Sequence, residues 1–371
     1  MNTFAAGGGL TMCPGQGLPA IRSSRASLAG LLLRGKPASA AALQLPRLFS
    51  LCGEAHRLTA GLAVDAALGL RTAPRAPERA SLAAETAREH VRRLLIDWPR
   101  LLGGSDGSAA HALRACPLFA AGTMEDNGLA TPALRAWVER ELLGGAIAPW
   151  LARWRDDPAD CLRHWSRRAA TLPALLLRAI EDDASAIDAG VAPLLPHASA
   201  ASLRVLGAAL AGPADFERAP SSAGEACETG TWTRLGEPAA SAGGVPANAW
   251  LRMGARLAEL CALASGDGPL LSLGALALAP GAALAWSEMA RGLLLHWVRL
   301  DLAGGAPVIV DYRVVAPTEW NFHPCGVVAQ ALAAMPAARC SESRAVATRR
   351  IGVLAAAFDP CVDFKIEFPH A

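Results

Sequence analysis

The chain has 371 residues, of which 52% are hydrophobic and 18% are charged, so it can bury a large core and is not a disordered polypeptide. The formal charge is +2 at pH 7 and no basic run stands out, which argues against a nucleic-acid partner. No apolar stretch reaches the about 18–20 residues that span a bilayer, and the first residues lack a secretory signal pattern, so we expect no membrane insertion. Nine cysteines without paired spacing suit a reducing compartment, and we predict a cytoplasmic protein.

The predicted elements are mostly helices. Residues 1–24 are Gly-rich and are predicted to be irregular. Apolar periodicity and breaker residues then predict helices, in chain order, over 26–33, 38–45, 52–70, 82–96, 132–143, 146–155, 168–182, 199–211 and 248–264. The Pro-rich segment 71–81 is predicted to be a loop, and residues 213–247, rich in Pro, Gly, Ser and Ala, a long loop.

The pattern changes towards the end of the chain. Apolar and polar residues alternate on both sides of the Gly-Gly pair at 304–305, which predicts a β-hairpin. The predicted facing sets are Leu293, Leu295 and Trp297 on one strand and Val308, Val310 and Tyr312 on the other. Two more helices are expected, from about residue 326 and over 343–356. The fold class is therefore predicted to be mainly α with a small β component (α+β), with a single domain over 25–371.

The segment LPRLFSLCGEAHR at 45–57 carries the first candidate site. Cys52 and His56 are four residues apart at a predicted helix start, so both side chains can point to one side. The helix dipole and a hydrogen bond from His56 would both favour a Cys52 thiolate. A buried thiol beside a core histidine explains the same pair without any site.

The segment FDPC at 358–361 carries the second candidate. Pro360 fixes its own φ and so presets the turn that aims Cys361. Asp359 can accept backbone N–H bonds in an Asx turn. The alternative is an incidental cysteine in a C-terminal tail.

The segments EMARGLLLHW at 288–297 and APTEWNF at 316–322 carry the third. Arg291 precedes Gly292 at a strand start, and Thr318 follows the rigid Pro317. An arginine fork and a threonine hydroxyl can jointly donate hydrogen bonds to a small anion. A surface arginine and a turn threonine fit these segments equally well.

Together these motifs resemble those of the large subunit of nickel–iron hydrogenases and, within that superfamily, the large-subunit-like maturation proteins of the HupK/HoxV type. RLFSLCGEAH is similar to the family's R-I-C-G-x-C-x-x-x-H motif, with Arg47 and His56 kept, Cys52 on the second cysteine and Phe49 on the first. Aligning Cys52-Gly53 with the motif's Cys-Gly instead would lose both Arg47 and His56. DPCVDFKIE is similar to D-P-C-x-x-C-x-x-H and keeps its first cysteine as Cys361. In this motif Phe364 and Glu367 replace the second cysteine and the histidine.

Three shorter matches follow the same order along the chain. ARGLLLHW resembles the family's A-P-R-G…H-W stretch, with Ala290 in place of proline, and APTEWN resembles its P-T-x-W-N stretch. ETG at 228–230 corresponds to a further short motif. The main matches cover roughly residues 30–70 and 285–364, so the resemblance implies the large-subunit fold in a reduced size.

In catalytic large subunits four thiolates hold nickel, and two of them bridge to an iron that carries CO and two cyanides. With Phe49 and Phe364 at two ligand positions, the resemblance implies no nickel in this protein. Arg291 and Thr318 correspond to residues that hydrogen-bond the cyanides. The resemblance therefore implies that Cys52 and Cys361 hold an Fe(CN)2(CO) unit. The implied supporting residues are His56 around the metal and, as further support, Arg47, Asp359 and Pro317.

We therefore expect a non-catalytic assembly scaffold in hydrogenase maturation. It would receive the iron unit from the upstream maturation complex and pass it to the hydrogenase large-subunit precursor. One alternative is a metal-free mimic of the large subunit that docks maturation proteins or hydrogenase subunits. Another is an enzyme with Cys52 and His56 as a nucleophile pair, for which the sequence offers no oxyanion site. Cys13 is expected in a disordered tail, and packing roles are expected for Cys116, Cys161, Cys261 and Cys340. Cys325 and His323 lie near the PTEWN turn but are not expected to be ligands, and His296 is expected to form hydrogen bonds in the core.

Overall fold

The computed structural model describes residues 8–103, 107–120, 129, 131–187, 190, 192–194, 196–213, 215–235, 248–266, 271–338 and 340–368. Helices dominate these residues, which confirms the mainly α prediction. The α-helices are Leu28–Leu33, Ala40–Leu48, Gly53–Ala67, Ala76–Arg92, Trp98–Leu102, Gly107–Arg114, Pro132–Trp137, Ile147–Asp156, Pro158–Arg168, Leu172–Ala179, Glu181–Ser185, Ala200–Ala211, Thr231–Arg234, Ala249–Ser265, Pro317–Asn321, Val327–Ala333 and Ser341–Phe358. The π-helical turns are Arg93–Asp97 and Val138–Leu143, and the 3-10 turns are Ser50–Cys52, Pro117–Phe119 and Pro196–Ala198.

The strands form three small sheets. They are β1 (Leu10–Met12), β2 (Ile21–Ser23), β3 (Ala192–Pro193), β4 (Cys227–Glu228), β5 (Leu273–Ala279), β6 (Ala282–Met289), β7 (Gly292–Asp301), β8 (Val308–Val315) and β9 (Phe364–Ile366). The largest sheet is antiparallel in the order β5-β6-β7-β8. A second sheet has the order β2-β1-β9, and β3 pairs with β4.

The four-stranded sheet confirms the predicted hairpin but corrects its register. Tyr312 lies opposite Val298, so it is not on the face of Trp297, whose partner is Arg313. The pairing shifts at the far end of the hairpin, where β8 holds one extra residue, Val310. A bulge of this kind moves the following side chains to the other face, so a strict alternation assigns the wrong partners. Strands β5 and β6 were not predicted.

The prediction of an irregular segment over 1–24 is wrong within its described part. Strands β1 and β2 lie there, and Cys13, expected in a tail, is buried. Strand β1 pairs in parallel with β9 at the other end of the chain, Leu10 opposite Phe364. Local sequence patterns cannot reveal a pairing between the two ends of a chain.

Several helix predictions also need correction. A helix begins at Ala76, inside the predicted loop 71–81, with a proline in its first turn, a position that favours helix starts. Helix Pro158–Arg168 was missed although Asp157 caps it by accepting the N–H of Asp160. Of the predicted long loop, residues 215–235 hold β4 and the helix Thr231–Arg234, and residues 236–247 lie outside the described part.

Two long helices organise the core. Helix Gly53–Ala67 packs on β5, β6 and β7, and helix Ala249–Ser265 is buried from Ala249 to Ala264 among the surrounding helices. Among the described residues, none of the helices combines the length and the apolarity that a membrane span requires. The packing brings the start of helix Gly53–Ala67, the β6–β7 turn and the end of helix Ser341–Phe358 to one place.

Candidate metal centre

Cys52 and Cys361 come from opposite ends of the chain and lie close enough to influence each other electrostatically. Cys52 is the residue before helix Gly53–Ala67 and is 6% exposed. Cys361 is half-buried, three residues after the end of helix Ser341–Phe358. Burial raises the pKa of Cys52 well above its usual value, a charge on Cys361 raises it further, and the Arg291 guanidinium lowers it. In the metal-free protein burial therefore outweighs the helix dipole, and the expected Cys52 thiolate is not favoured.

Thr318 connects the Cys361 turn to the helix Pro317–Asn321. The backbone N–H of Cys361 donates to Thr318 Oγ1 at 3.4 Å. Pro317 is the first residue of that helix and is buried, as is Thr318. Because the Thr318 oxygen accepts this bond, its hydroxyl proton is left to donate elsewhere.

Arg291 is 1% exposed and already has two carboxylate partners. Its Nη2 donates to Glu89 Oε2 at 2.7 Å, and its Nε lies 3.0 Å from Asp359 Oδ2. A guanidinium has five N–H donors, so these contacts leave others for an anion. The same contacts also give Arg291 a structural role that needs no ligand.

Asp359 is the centre of a buried cluster of arginines. Arg93 forms an ion pair with its carboxylate, and Arg256 Nη1 lies 3.9 Å from Oδ2. Although burial opposes ionisation, Arg291, Arg93 and Arg256 together hold the pKa of Asp359 below its usual range. Asp359 thus pairs with guanidinium groups, whereas the sequence suggested backbone N–H donors. Its φ of +55° is a left-handed conformation that Asp tolerates better than most residues, and it ends the helix before Cys361.

His56 lies in a buried chain of polar rings and does not reach the thiols. Its Nδ1 is 3.0 Å from His296 Nε2, and His296 Nδ1 is 2.7 Å from the Tyr312 hydroxyl. Phe49 stacks on the imidazole with a centroid distance of 4.0 Å and an interplanar angle of 9°. Burial lowers the pKa of His56 to about 3. His56 is therefore not an activating base for Cys52, while His296 has the core role expected of it.

The ETG motif at 228–230 holds the strand that follows Arg291. Thr229 Oγ1 accepts the N–H of Leu293 at 2.8 Å, and the Thr229 backbone exchanges two hydrogen bonds with the Asn321 amide, at 3.0 and 2.9 Å. Gly292 has a φ of +131°, and a Cβ there would lie 2.7 Å from Thr229 Cγ2. The motifs ARG, PTEWN and ETG therefore form one unit that fixes Arg291 and Thr318.

The remaining predicted residues lie outside this unit. Arg47 is exposed at the end of helix Ala40–Leu48. Phe364 is half-buried on β9 and packs against the helical core, and Glu367 pairs with Arg22 at 2.6 Å.

Within the described residues, no three or more His, Cys, Asp or Glu side chains are grouped as a metal site. Two thiols suit a metal complex that brings its own ligands better than a bare ion.

Sequence reasoning missed Glu89, Arg93 and Arg256. The detectable signal for Arg256 was its place with Arg252 and Glu259 as the charged residues of a helix that is otherwise mostly apolar. Charges at such positions must be paired when buried. Arg252 meets this need through Glu228, with two N–O contacts of 2.7 and 2.6 Å.

Solved structures resemble this fold along nearly the whole chain. The Ni-Fe-Se hydrogenase from D. vulgaris Hildenborough in its as-isolated oxidized state matches with a TM-score of 0.53 at 15% identity, covering 92% of each chain. An NAD+-reducing [NiFe]-hydrogenase in the H2-reduced state gives the same TM-score and coverage at 16% identity. The protein therefore has the fold of the nickel–iron hydrogenase large subunit.

Sequence comparison narrows the class further, although no family model matches the chain. The chain is 49% identical to the hydrogenase expression/formation protein HoxV from Cupriavidus necator, over 98% of this chain and 96% of the relative. It is 31% identical to the hydrogenase expression/formation protein HupK from Rhizobium leguminosarum bv. viciae, over 95% and 93%. The chain belongs to this family of hydrogenase expression/formation proteins, which confirms the resemblance seen in its motifs.

Proposed function

We propose that this protein is a non-catalytic, cytoplasmic scaffold that carries an Fe(CN)2(CO) unit during hydrogenase maturation. The unit would arrive from the upstream maturation complex and leave to the hydrogenase large-subunit precursor. Membership of the expression/formation family supports a role in maturation. The large-subunit fold supports a site that resembles part of the metal site of the recipient.

The observation that carries the proposal is the combination of groups around Cys52 and Cys361. Two thiols adjoin a buried guanidinium at Arg291, and the Thr318 hydroxyl touches the Cys361 backbone. Thiolates bind iron, and the nitrogen of a bound cyanide accepts hydrogen bonds from charged or hydroxyl donors. The cargo contributes three diatomic ligands, so two protein thiolates complete five donors without any further side chain.

The residues at the two other ligand positions support an iron-only cargo. Phe49 stacks on His56 and Phe364 packs against the helical core, so neither position offers a donor for nickel. We therefore propose that nickel is absent from the carried unit.

Infrared spectroscopy tests the proposal. The protein is purified without oxygen from cells that express the hydrogenase maturation proteins, alongside Cys52→Ala, Cys361→Ala and the control Cys340→Ala. The Cys340 thiol is exposed and caps the N-terminal end of helix Ser341–Phe358, the end far from Cys361. We expect CO and CN stretching bands in the wild type and in Cys340→Ala, and none in the other two. Bands that survive in Cys52→Ala or Cys361→Ala would contradict the ligand assignment.

The alternative function, a metal-free mimic that docks hydrogenase or maturation subunits, is favoured by the two ion pairs of Arg291. Arg291 is paired with Glu89 and Asp359, so its presence does not require a cyanide. This function predicts no CO or CN bands from a wild-type protein that still binds the large-subunit precursor.

A further inference from the structure

An open cleft leads from the surface to Cys361. Its volume is about 510 Å³, and it lies between the segment around the π-helical turn Arg93–Asp97 and the turn that follows Pro360. Cys361 lines the cleft, whereas Cys52 does not and is 6% exposed. The two thiols are therefore unequal, because one faces the cleft and the other lies behind it.

One wall of the cleft is cationic. Arg92, Arg93 and Arg100 line this wall together with Asp97, and Asp363 lines the side formed by the turn after Pro360, so the arginines exceed the carboxylates by one. Arg92 and Arg93 share Asp97, with N–O distances of 3.2 and 3.1 Å. Arg100 is exposed and takes part in none of the ion pairs found among the described residues. Arg92 and Asp97 are five residues apart, the spacing that one π-helical turn closes, so this turn brings Arg92 beside Asp97.

We propose that this cleft is the path by which the cargo enters and leaves, that Cys361 is its first protein ligand, and that Arg100 attracts it electrostatically. The proposal rests on the proposed function. An iron that carries two cyanides and is held by thiolates is an anionic complex, and a cationic cleft raises the local concentration of anions. In the transfer step, the Cys361 sulfur forms a bond to iron as a donor ligand leaves, and the thiol proton goes to solvent. Cys52 then replaces a second donor ligand in the same way, and no electron is transferred.

Alkylation of the metal-free protein tests the cleft without any cargo. Iodoacetate and iodoacetamide react with thiolates by the same displacement, but only iodoacetate is an anion. The ratio of their rates at one cysteine is independent of its thiolate fraction and reports the local potential. Rates at each cysteine are measured by mass spectrometry of the digested protein, and the exposed Cys340 serves as an internal reference.

We expect Cys361 to react at least tenfold faster than Cys52, and its iodoacetate-to-iodoacetamide ratio to exceed that of Cys340. Arg100→Glu should lower this ratio about three- to tenfold at low salt, and added salt should shrink the effect. The control Arg204→Glu reverses an exposed charge on helix Ala200–Ala211, which packs on the four-stranded sheet, and should leave the ratio unchanged. Equal rates at Cys52 and Cys361, or an unchanged ratio in Arg100→Glu, would overturn the proposal.

Loading in cells separates this proposal from the function on which it rests. The intensity of the CN bands per protein is compared between the wild type, Arg100→Glu and Arg204→Glu early in induction. A lower intensity in Arg100→Glu alone supports the cleft as the path. Equal early intensity in all three overturns the path while the carrier function stands. Absence of bands from the wild type overturns the carrier function itself, and the alkylation ratios still decide whether the cleft selects anions.

Discussion

Replacing Asp359 by asparagine should destabilise the protein by about 3–5 kcal/mol, the usual cost of removing one partner of a buried ion pair. The carboxylate is fully buried, and its Oδ2 lies 3.0 Å from Arg291 Nε and 3.9 Å from Arg256 Nη1. In an effective dielectric of about 20, these distances correspond to gross attractions of about 5.5 and 4 kcal/mol, which desolvation partly offsets. Arg291 keeps Glu89 as a partner, but Arg256 is left with two backbone carbonyls. The loss at Arg256 is therefore expected to dominate.

Asparagine is the informative substitution because it keeps the shape and tolerates the left-handed backbone at φ +55°. Asp359→Ala should cost about 1 kcal/mol more, since alanine adopts this conformation less readily. The control is Asp160→Asn, whose exposed carboxylate lies 3.8 Å from Arg153 and should matter by less than about 0.5 kcal/mol. Urea unfolding followed by tryptophan fluorescence gives each free energy. A loss below about 1 kcal/mol in Asp359→Asn would refute the view that this carboxylate neutralises the buried arginines.

Three further predictions follow from the site. Thr229→Val should cost about 1–3 kcal/mol in urea unfolding because the buried N–H of Leu293 loses its acceptor, while Thr229→Ser, which keeps the hydroxyl, should stay within about 1 kcal/mol of wild type. The pKa of His56 in the folded protein is lowered to about 3. Below about pH 6.5 the unfolded chain therefore binds a proton that the folded protein does not bind, so the free energy of unfolding decreases as the pH is lowered to about 3. Between pH 7.5 and 5.5 the unfolding free energy should drop by about 1.4 kcal/mol more in the wild type than in His56→Gln; equal drops would contradict a neutral, buried imidazole. On the proposed function, Phe49→Cys should strengthen the CN bands of the isolated protein and slow delivery of its iron, whereas Phe49→Ala, which adds no thiol, should not strengthen them.

Local patterns were sufficient for elements that depend on local sequence. The alternation around Gly304-Gly305 predicted the β7–β8 hairpin, and the apolar periodicity predicted helix Ala249–Ser265. The register failed at Val310 because a bulge changes the count by one residue without changing the composition. The pairing of β1 with β9 was missed since it depends on tertiary packing alone.

The site residues also divide into those that local sequence patterns indicated and those that depend on tertiary packing. The spacing within each motif suggested that Cys52, Cys361, Arg291 and Thr318 could matter, but only the family resemblance suggested that they meet. The motif placed His56 beside the thiols, whereas in the structure its imidazole lies against His296. Side chains that compensate a buried charge, such as those around Asp359, can come from any segment that packs nearby. Their identity therefore depends on the fold and is not visible in a motif.

The nickel ligands that only the recipient has would give the proposed transfer its direction. A carrier that bound iron as strongly as its recipient would keep the cargo, since transfer needs a lower free energy in the recipient. Phe49 and Phe364 remove soft donors from the carrier, yet they leave the fold and the Arg291–Thr318 unit intact. Iron in this site would then keep its cyanide contacts and its bonds to two sulfurs, but no nickel could bind beside it and hold it in place. The half-buried Cys361 would be the last of those bonds, because Cys52 lies deeper and has no direct access to a recipient through the cleft. Loss of nickel ligands and ease of release are thus two consequences of the same substitutions.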